Sequence, residues 1–170
     1  MTKFTMLLIP LALIISLSSQ ADDHLSSKKY ELSNQKSNST SLFIEIPKSL
    51  EVKKAKDKLV IYRFVVEDRG THVKSHSFTK KIKKTPPGVI DTIEDKGFKL
   101  KYTESFQQLG KKAIAIINYE LLSGSYKGLK VGDKYTNTFT YDLSNGNKVY
   151  YQFTHSLNGK KPITVNATYN

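Results

Sequence analysis

The feature that most constrains the fold is the alternation of apolar and polar residues between Lys134 and Leu157. In the first arm the large apolar side chains share one parity: Tyr135, Phe139, Tyr141 and Leu143. The second arm repeats the pattern: Val149, Tyr151, Phe153 and Leu157. A period of two predicts two β-strands, each with one face in the core and one in water.

The turn of this hairpin allows two registers. A two-residue loop at Asn145-Gly146 pairs Tyr141 with Tyr150, which places the apolar set of one arm opposite the polar set of the other. A three-residue loop that includes Ser144 pairs Tyr141 with Val149 and keeps the apolar sets together. The pattern therefore predicts the three-residue loop.

Short runs bounded by turn residues predict further strands along the chain. These runs cover residues 41–46, 59–66, 71–78, 89–94, 98–106, 113–122 and 163–169. A short helical turn is the alternative for 89–94, and a helix is the alternative for 113–122. About eight or nine short strands without a convincing amphipathic helix predict an all-β fold. We expect an antiparallel β-sandwich, Ig-like or jelly-roll-like, with a small β-barrel as the alternative.

The N-terminal region reads as a targeting segment followed by a leader. Lys3 is the only charge before Asp22, and an apolar run extends from Met6 to Leu17. Ser19 and Ala21 then provide small residues at the positions expected of a cleavage site. This predicts a signal peptide over 1–21, with an uncleaved anchor helix as the alternative. Residues 22–40 are polar and predict a flexible leader. A single β-rich domain is expected over 41–170, with no integral membrane span after cleavage.

Composition narrows the setting of the domain. The chain has no cysteine, which excludes disulfides, thiolate nucleophiles and lipid attachment at an N-terminal cysteine. We therefore expect an exported protein, periplasmic or extracellular and bacterial, that is not a lipoprotein. The formal net charge is +12, carried mostly by lysine. Such a charge favours anionic partners, although a compositional bias of the genome is an alternative explanation.

A segment without acidic residues, 69–90, is the predicted basic face. Its cations are Arg69, Lys74, Lys80, Lys81, Lys83 and Lys84. Such a face could bind lipopolysaccharide, an acidic glycan or extracellular DNA by counterion release. The alternative is an edge strand whose lysines prevent aggregation. Three tyrosines, Tyr126, Tyr135 and Tyr150, are predicted to form an aromatic surface, although tyrosine is also ordinary on strands.

No catalytic, metal or cofactor site is predicted. His72 and His76 lie four apart in a predicted strand, too far for one metal, and are expected to be solvated. A Gly-x-Ser-x-Gly elbow is absent. The sequence therefore predicts a non-enzymatic binding module that meets an anionic envelope component or a protein partner. The alternatives are an accessory subunit of an envelope or surface-appendage assembly, held by β-strand addition, and a small hydrolase.

Overall fold

The computed structural model describes residues 26–37, 41–67, 70–79, 91–95 and 97–170, and all its regular structure there is β. The strands are β1 (Ser26–Ser37), β2 (Pro47–Lys54), β3 (Lys58–Glu67), β4 (Gly70–Thr79), β5 (Asp91–Asp95), β6 (Phe98–Leu109), β7 (Lys112–Gly124), β8 (Lys134–Asp142), β9 (Val149–Leu157) and β10 (Ile163–Tyr169). No helix long and apolar enough to cross a membrane occurs in these ranges. The all-β prediction is confirmed.

The strands form one antiparallel sheet that curls into a half-barrel. Its ten strands follow the order β4-β3-β2-β1-β10-β9-β8-β7-β6-β5. Every neighbour in the sheet is also a neighbour in the chain, except for the pair β1 and β10. The predicted sandwich of two sheets is not confirmed, because β1 pairs with both β2 and β10 and so joins the two halves into a single sheet. The half-barrel is compatible with the barrel-like alternative.

Strand β1 corrects the prediction that 22–40 is a flexible leader. Residues 26–31 pair with β2, and 32–37 pair with β10, so this segment lies in the middle of the sheet. Only Tyr30 is buried, and Leu32 is half-buried. The strand depends on backbone hydrogen bonds to two neighbours, so its sequence shows almost none of the apolar alternation from which strands are predicted.

The concave face of the sheet holds the core. Inward side chains of β2, β3, β7, β8 and β9 form one buried cluster, which includes Leu50, Ile61, Ala115, Phe139 and Phe153. The burial of β8 alternates strictly, as the hairpin pattern predicts. On β3, the inward residues are buried and most of the outward ones are half-buried, although Val66 near its end is exposed.

The hairpin register differs from the prediction, although the inward set is correct. Tyr141 pairs with Tyr151, two positions beyond the predicted partner, and six residues (143–148) join the strands. The loop is long because side chains hold the backbone locally. Asp142 Oδ1 accepts a hydrogen bond from the Ser144 amide at 2.9 Å, and Asn145 Oδ1 accepts one from the Asn147 amide at 3.0 Å.

One end of the half-barrel is covered by residues 41–46, which precede β2. Phe43 stacks on His155 with ring centroids 4.5 Å apart, and the Tyr151 hydroxyl donates to the Glu45 carbonyl at 2.7 Å. The predicted strand at 41–46 is therefore wrong, since strand β2 begins at Pro47. The side chains of Phe43, Ile44 and Ile46 pack against the inner face of the sheet, Leu42 is exposed, and none of these residues enters a ladder.

Strand β4, at one end of the sheet, packs against β6 through side chains along a seam. In the described structure β4 pairs with β3, while β6 pairs with β5 and β7. The pairing with β5 ends at Tyr102, so the rest of β6 faces β4 without a shared ladder. Phe106 bridges the two strands, with ring centroids 5.7 Å from Phe78 and 5.6 Å from His76. The seam ends beside the opening described next.

Candidate ligand-binding cleft

A cleft of about 450 Å³ opens at the end of the half-barrel opposite the covered end. Three turns surround it: the β2–β3 turn at Ala55, the β6–β7 turn at Gly110 and the β8–β9 turn at Ser144. At this end of the sheet the strands stop, and with them the inward-facing side chains that form the core. Its volume lies within the range of sites that hold small molecules.

The floor of the cleft is apolar, with one polar group. Leu59 and Leu143 are 4% and 8% exposed, and both belong to the main core cluster. Gln108 is the last inward residue of β6. Its Nε2 donates to the Gly110 carbonyl at 3.2 Å, while its buried Oε1 has no hydrogen-bond partner among the described residues. The floor thus offers apolar contact and one free acceptor.

Four lysines ring this floor: Lys54, Lys56, Lys58 and Lys111. All four are exposed, and none forms an ion pair with a carboxylate in the part of the chain that the structure describes. Asp57 lies in the same turn as Lys56 but does not line the cleft. The lining contains no acid. We call this site the lysine-ringed cleft.

The turn between β2 and β3 explains how three of the lysines converge. The Ala55 amide donates to the Lys58 carbonyl at 2.8 Å, which closes a tight hairpin. Lys54 continues the inward row of Leu50 and Val52, one step beyond the core. Because the row leaves the core there, a long charged side chain can lie with its stem on apolar surface and its ammonium group in water.

A second groove, of about 310 Å³, lies on the convex face of β7 to β10. Its polar groups are largely matched to one another. Gln152 Nε2 donates to Asn166 Oδ1 at 3.0 Å, and Lys112 lies 3.7 Å from Asp142. Groups that already have partners gain little from a ligand, so the lysine-ringed cleft is the better candidate site.

The predicted basic face is only partly within the described structure. Lys74 is not a free cation, because its ammonium group lies 2.8 Å from Glu67 and 3.5 Å from Glu45. The other predicted members, Arg69, Lys80, Lys81, Lys83 and Lys84, lie outside the described residues.

The three predicted surface tyrosines do not lie together. Tyr150 is 47% exposed and borders the convex groove. Tyr135 is buried, stacked on Tyr119 with ring centroids 4.5 Å apart, so its assignment to a surface is wrong. Tyr126 is half-buried against Phe98. Tyr135 has the inward parity of its strand, which overrides the surface preference of tyrosine.

The prediction of solvated histidines is wrong for His76. This residue is 2% exposed, and its Nδ1 lies 3.0 Å from the Tyr141 hydroxyl. Burial, and next the positive charge of Arg63, hold its pKa well below the usual range. His155 is also buried, with Nδ1 2.8 Å from Asn137 Oδ1, and burial lowers its pKa as well. His72 remains exposed.

This burial predicts acid sensitivity. Below about pH 6.5 the unfolded histidines bind protons, whereas folded His76 stays neutral, so stability falls with pH from that point down to the folded pKa. We expect the free energy of unfolding to drop by about 1–2 kcal/mol between pH 7 and pH 5. Urea unfolding across this range measures it. His76→Gln should reduce the slope, and Ser75→Gln, at an exposed position of the same strand, should leave it unchanged; equal slopes in both variants would contradict the assignment.

The lysines of the cleft were not identified from the sequence. A signal was present, since Lys53, Lys54, Lys56 and Lys58 crowd one short stretch. That stretch identifies a basic turn, but Lys111 comes from a hairpin more than fifty residues away. Only the curl of the sheet brings the two turns to one opening.

Comparison of the chain with protein-family models, with curated proteins and with solved structures yields no match.

Proposed function

We propose that this protein is a non-enzymatic binding module that holds an anionic ligand at the lysine-ringed cleft. The observation that carries the proposal is the ring of four unpaired lysines around an apolar floor. Ammonium groups that form no ion pair with a carboxylate attract an oxyanion and lose no existing ion pair when they bind it. The N-terminal apolar run supports export, to the periplasm or the outside of a bacterium.

The lysine side chain suits a broad class of anions. It is a compact, strongly hydrated charge on a flexible stem and lacks the fork with which arginine selects planar anions. Binding should therefore depend on charge and salt more than on the identity of the anionic group. Lipopolysaccharide, acidic glycans and nucleic acids share this chemistry, and each supplies the anionic component expected from the sequence.

Loss of the four lysines is expected to weaken anion binding and its salt dependence. Anisotropy of a labelled single-stranded oligonucleotide, titrated with the purified protein across a salt series, measures both. If all four ammonium groups contact phosphate, replacing Lys54, Lys56, Lys58 and Lys111 with Gln reduces the slope of log affinity against log salt by about 3. The affinity at low salt should fall at least tenfold.

The matched control removes the same charge elsewhere. Lys36, Lys130, Lys160 and Lys161 are exposed lysines distant from the cleft lining, and replacing all four with Gln lowers the net charge equally. We expect this variant to retain the affinity and slope of the parent to within a factor of two. If both variants lose affinity alike, the net charge alone drives binding and the cleft is not the site.

A second candidate function follows from the sheet edges. Within the described residues, β4 and β5 occupy the two ends of the strand order; β4 packs against β6 along the seam, whereas β5 has one edge without a partner strand. A strand from another protein could add to such an edge, as in an accessory subunit of an envelope or surface-appendage assembly. A salt-resistant complex, unaffected by the lysine variants, would favour this role over anion binding.

A further inference from the structure

We infer that the ligand of the lysine-ringed cleft is a single-chain amphiphile, an alkyl chain that ends in an acidic oxyanion head group. This inference rests on the proposed function, which requires only that an anion binds at the four lysines. The additional evidence is the shape and the chemistry of the floor beneath them.

The floor continues into the hydrophobic core. Leu59 and Leu143 line the cleft and belong to the same buried cluster as Phe78 and Tyr141. A hydrated polyanion gains nothing from apolar surface, whereas each methylene group removed from water strengthens binding about threefold to fourfold. The floor therefore favours a ligand with an alkyl portion.

The rim separates the two parts of such a ligand. A lysine side chain can rest its stem on apolar surface while its ammonium group stays in water, which would place the positive charge above the apolar contacts. An amphiphile places its head group among the lysines and its chain on the leucines. A phosphate, a sulfate and a carboxylate all satisfy this arrangement, because lysine acts as a point charge toward each of them.

The dimensions favour one chain. The cleft has a volume of about 450 Å³ and is bounded by three turns, so it is a local depression at the end of the half-barrel and not a track across the surface. A polymer backbone would contact the rim alone, whereas one alkyl chain can reach the floor. The ligand class is therefore a fatty carboxylate or an alkyl phosphate.

The test is calorimetric titration of the purified protein with octanoate, decanoate and dodecanoate, each below its micelle concentration. We expect the affinity to rise about threefold to fourfold for each methylene that the cleft buries. Decyl phosphate compares the two head groups at constant chain length. Decyltrimethylammonium has a similar chain and the opposite charge, and it should bind at least tenfold more weakly than decanoate.

Two variants locate the binding without disturbing the core. Ser144 is exposed and lines the cleft, so Ser144→Trp should fill the opening and weaken decanoate at least tenfold. Ser125 is an exposed serine outside the cleft lining, and Ser125→Trp should leave the affinity within a factor of two of the parent. The four-lysine variant should also lose decanoate binding.

The outcomes separate this inference from the proposed function. If the oligonucleotide binds through the four lysines but affinity for the carboxylates does not change with chain length, the amphiphile is overturned and the anion site stands. If decyltrimethylammonium binds as well as decanoate, the lysines do not select the ligand and both proposals fail. An absence of binding to all the amphiphiles overturns the inference.

Discussion

Replacing Phe139 with alanine is expected to lower the free energy of unfolding by about 4 kcal/mol, within the range for large-to-small changes at buried aromatic residues. Phe139 is 1% exposed and lies on the inward face of β8. Its ring centroid is 5.2 Å from that of Phe153 and 4.9 Å from that of His76. The Arg63 guanidinium carbon lies 4.2 Å from the same centroid. The truncation thus creates a cavity and removes the aromatic surface beneath a buried cation.

Urea unfolding of the parent and the variants measures this effect as a shift of midpoint at constant slope. Phe139→Leu retains most of the side-chain volume and should cost about 1–2 kcal/mol. Leu109→Ala, at a position 53% exposed, should change stability by less than about 0.5 kcal/mol. A loss below about 1 kcal/mol for Phe139→Ala would be incompatible with a ring packed between β8, β9 and β4.

The second large effect is expected at Glu45, which neutralises a buried arginine. Arg63 is 3% exposed and donates through Nη1 to Glu45 Oε2 at 2.9 Å. Glu45→Ala leaves this guanidinium buried without its carboxylate, and breaking a buried pair in this way costs about 3–5 kcal/mol. Because the Glu45 side chain is 19% exposed, water can reach the site, and we expect a loss near the lower end, about 3 kcal/mol.

A double variant tests whether the loss of stability comes from the buried, unpaired guanidinium or from lost packing at Glu45. In Glu45→Ala with Arg63→Met the buried cation is gone, so we expect at least about 2 kcal/mol of the loss to be recovered. Glu51→Ala removes a carboxylate that lies 3.6 Å from Lys53 on the surface and should cost at most about 1 kcal/mol. If the double variant is as unstable as Glu45→Ala alone, the buried charge is not the reason for the loss.

Neither large effect involves the cleft. Glu45 belongs to the segment that covers the opposite end, and Phe139 lies on β8 outside the cleft lining. Anion affinity per folded molecule should therefore be unchanged in both variants. The cleft lysines are exposed and unpaired, so replacing them should change anion binding and leave the free energy of unfolding close to that of the parent.

Much of the fold could be predicted wherever one face of a strand is buried. Strands β3, β4 and β6 to β10 overlap the predicted runs, and the inward parity of the central hairpin is correct. The pattern fails at β1, whose polar residues pair first with β2 and then with β10, and at 41–46, where Phe43, Ile44 and Ile46 pack without a ladder. Alternation of apolar and polar residues indicates which side chains are buried. It does not show whether the backbone of that segment pairs with a neighbouring strand.

The site could be predicted only as a chemical tendency. An excess of lysine indicates an anionic partner, but the sequence drew attention to 69–90, where Lys74 is paired with Glu45 and Glu67. The cations that remain unpaired in the cleft come from two hairpins far apart in the chain. Charge content is a property of composition, whereas the availability of a charge depends on which carboxylates the fold places beside it.

The sequence by itself determined the class of this protein: all-β, antiparallel and strongly basic, with the inward faces of the central hairpin marked by a period-two apolar pattern. The tertiary structure alone decided that the strands join into one curled sheet through β1, and that four lysines converge on an apolar opening. The physical reason is one of range. The face of the sheet toward which a residue points is decided within its own strand. The curl of the sheet, the packing at the β4–β6 seam and the convergence of the turns depend on contacts between segments that are distant in the chain.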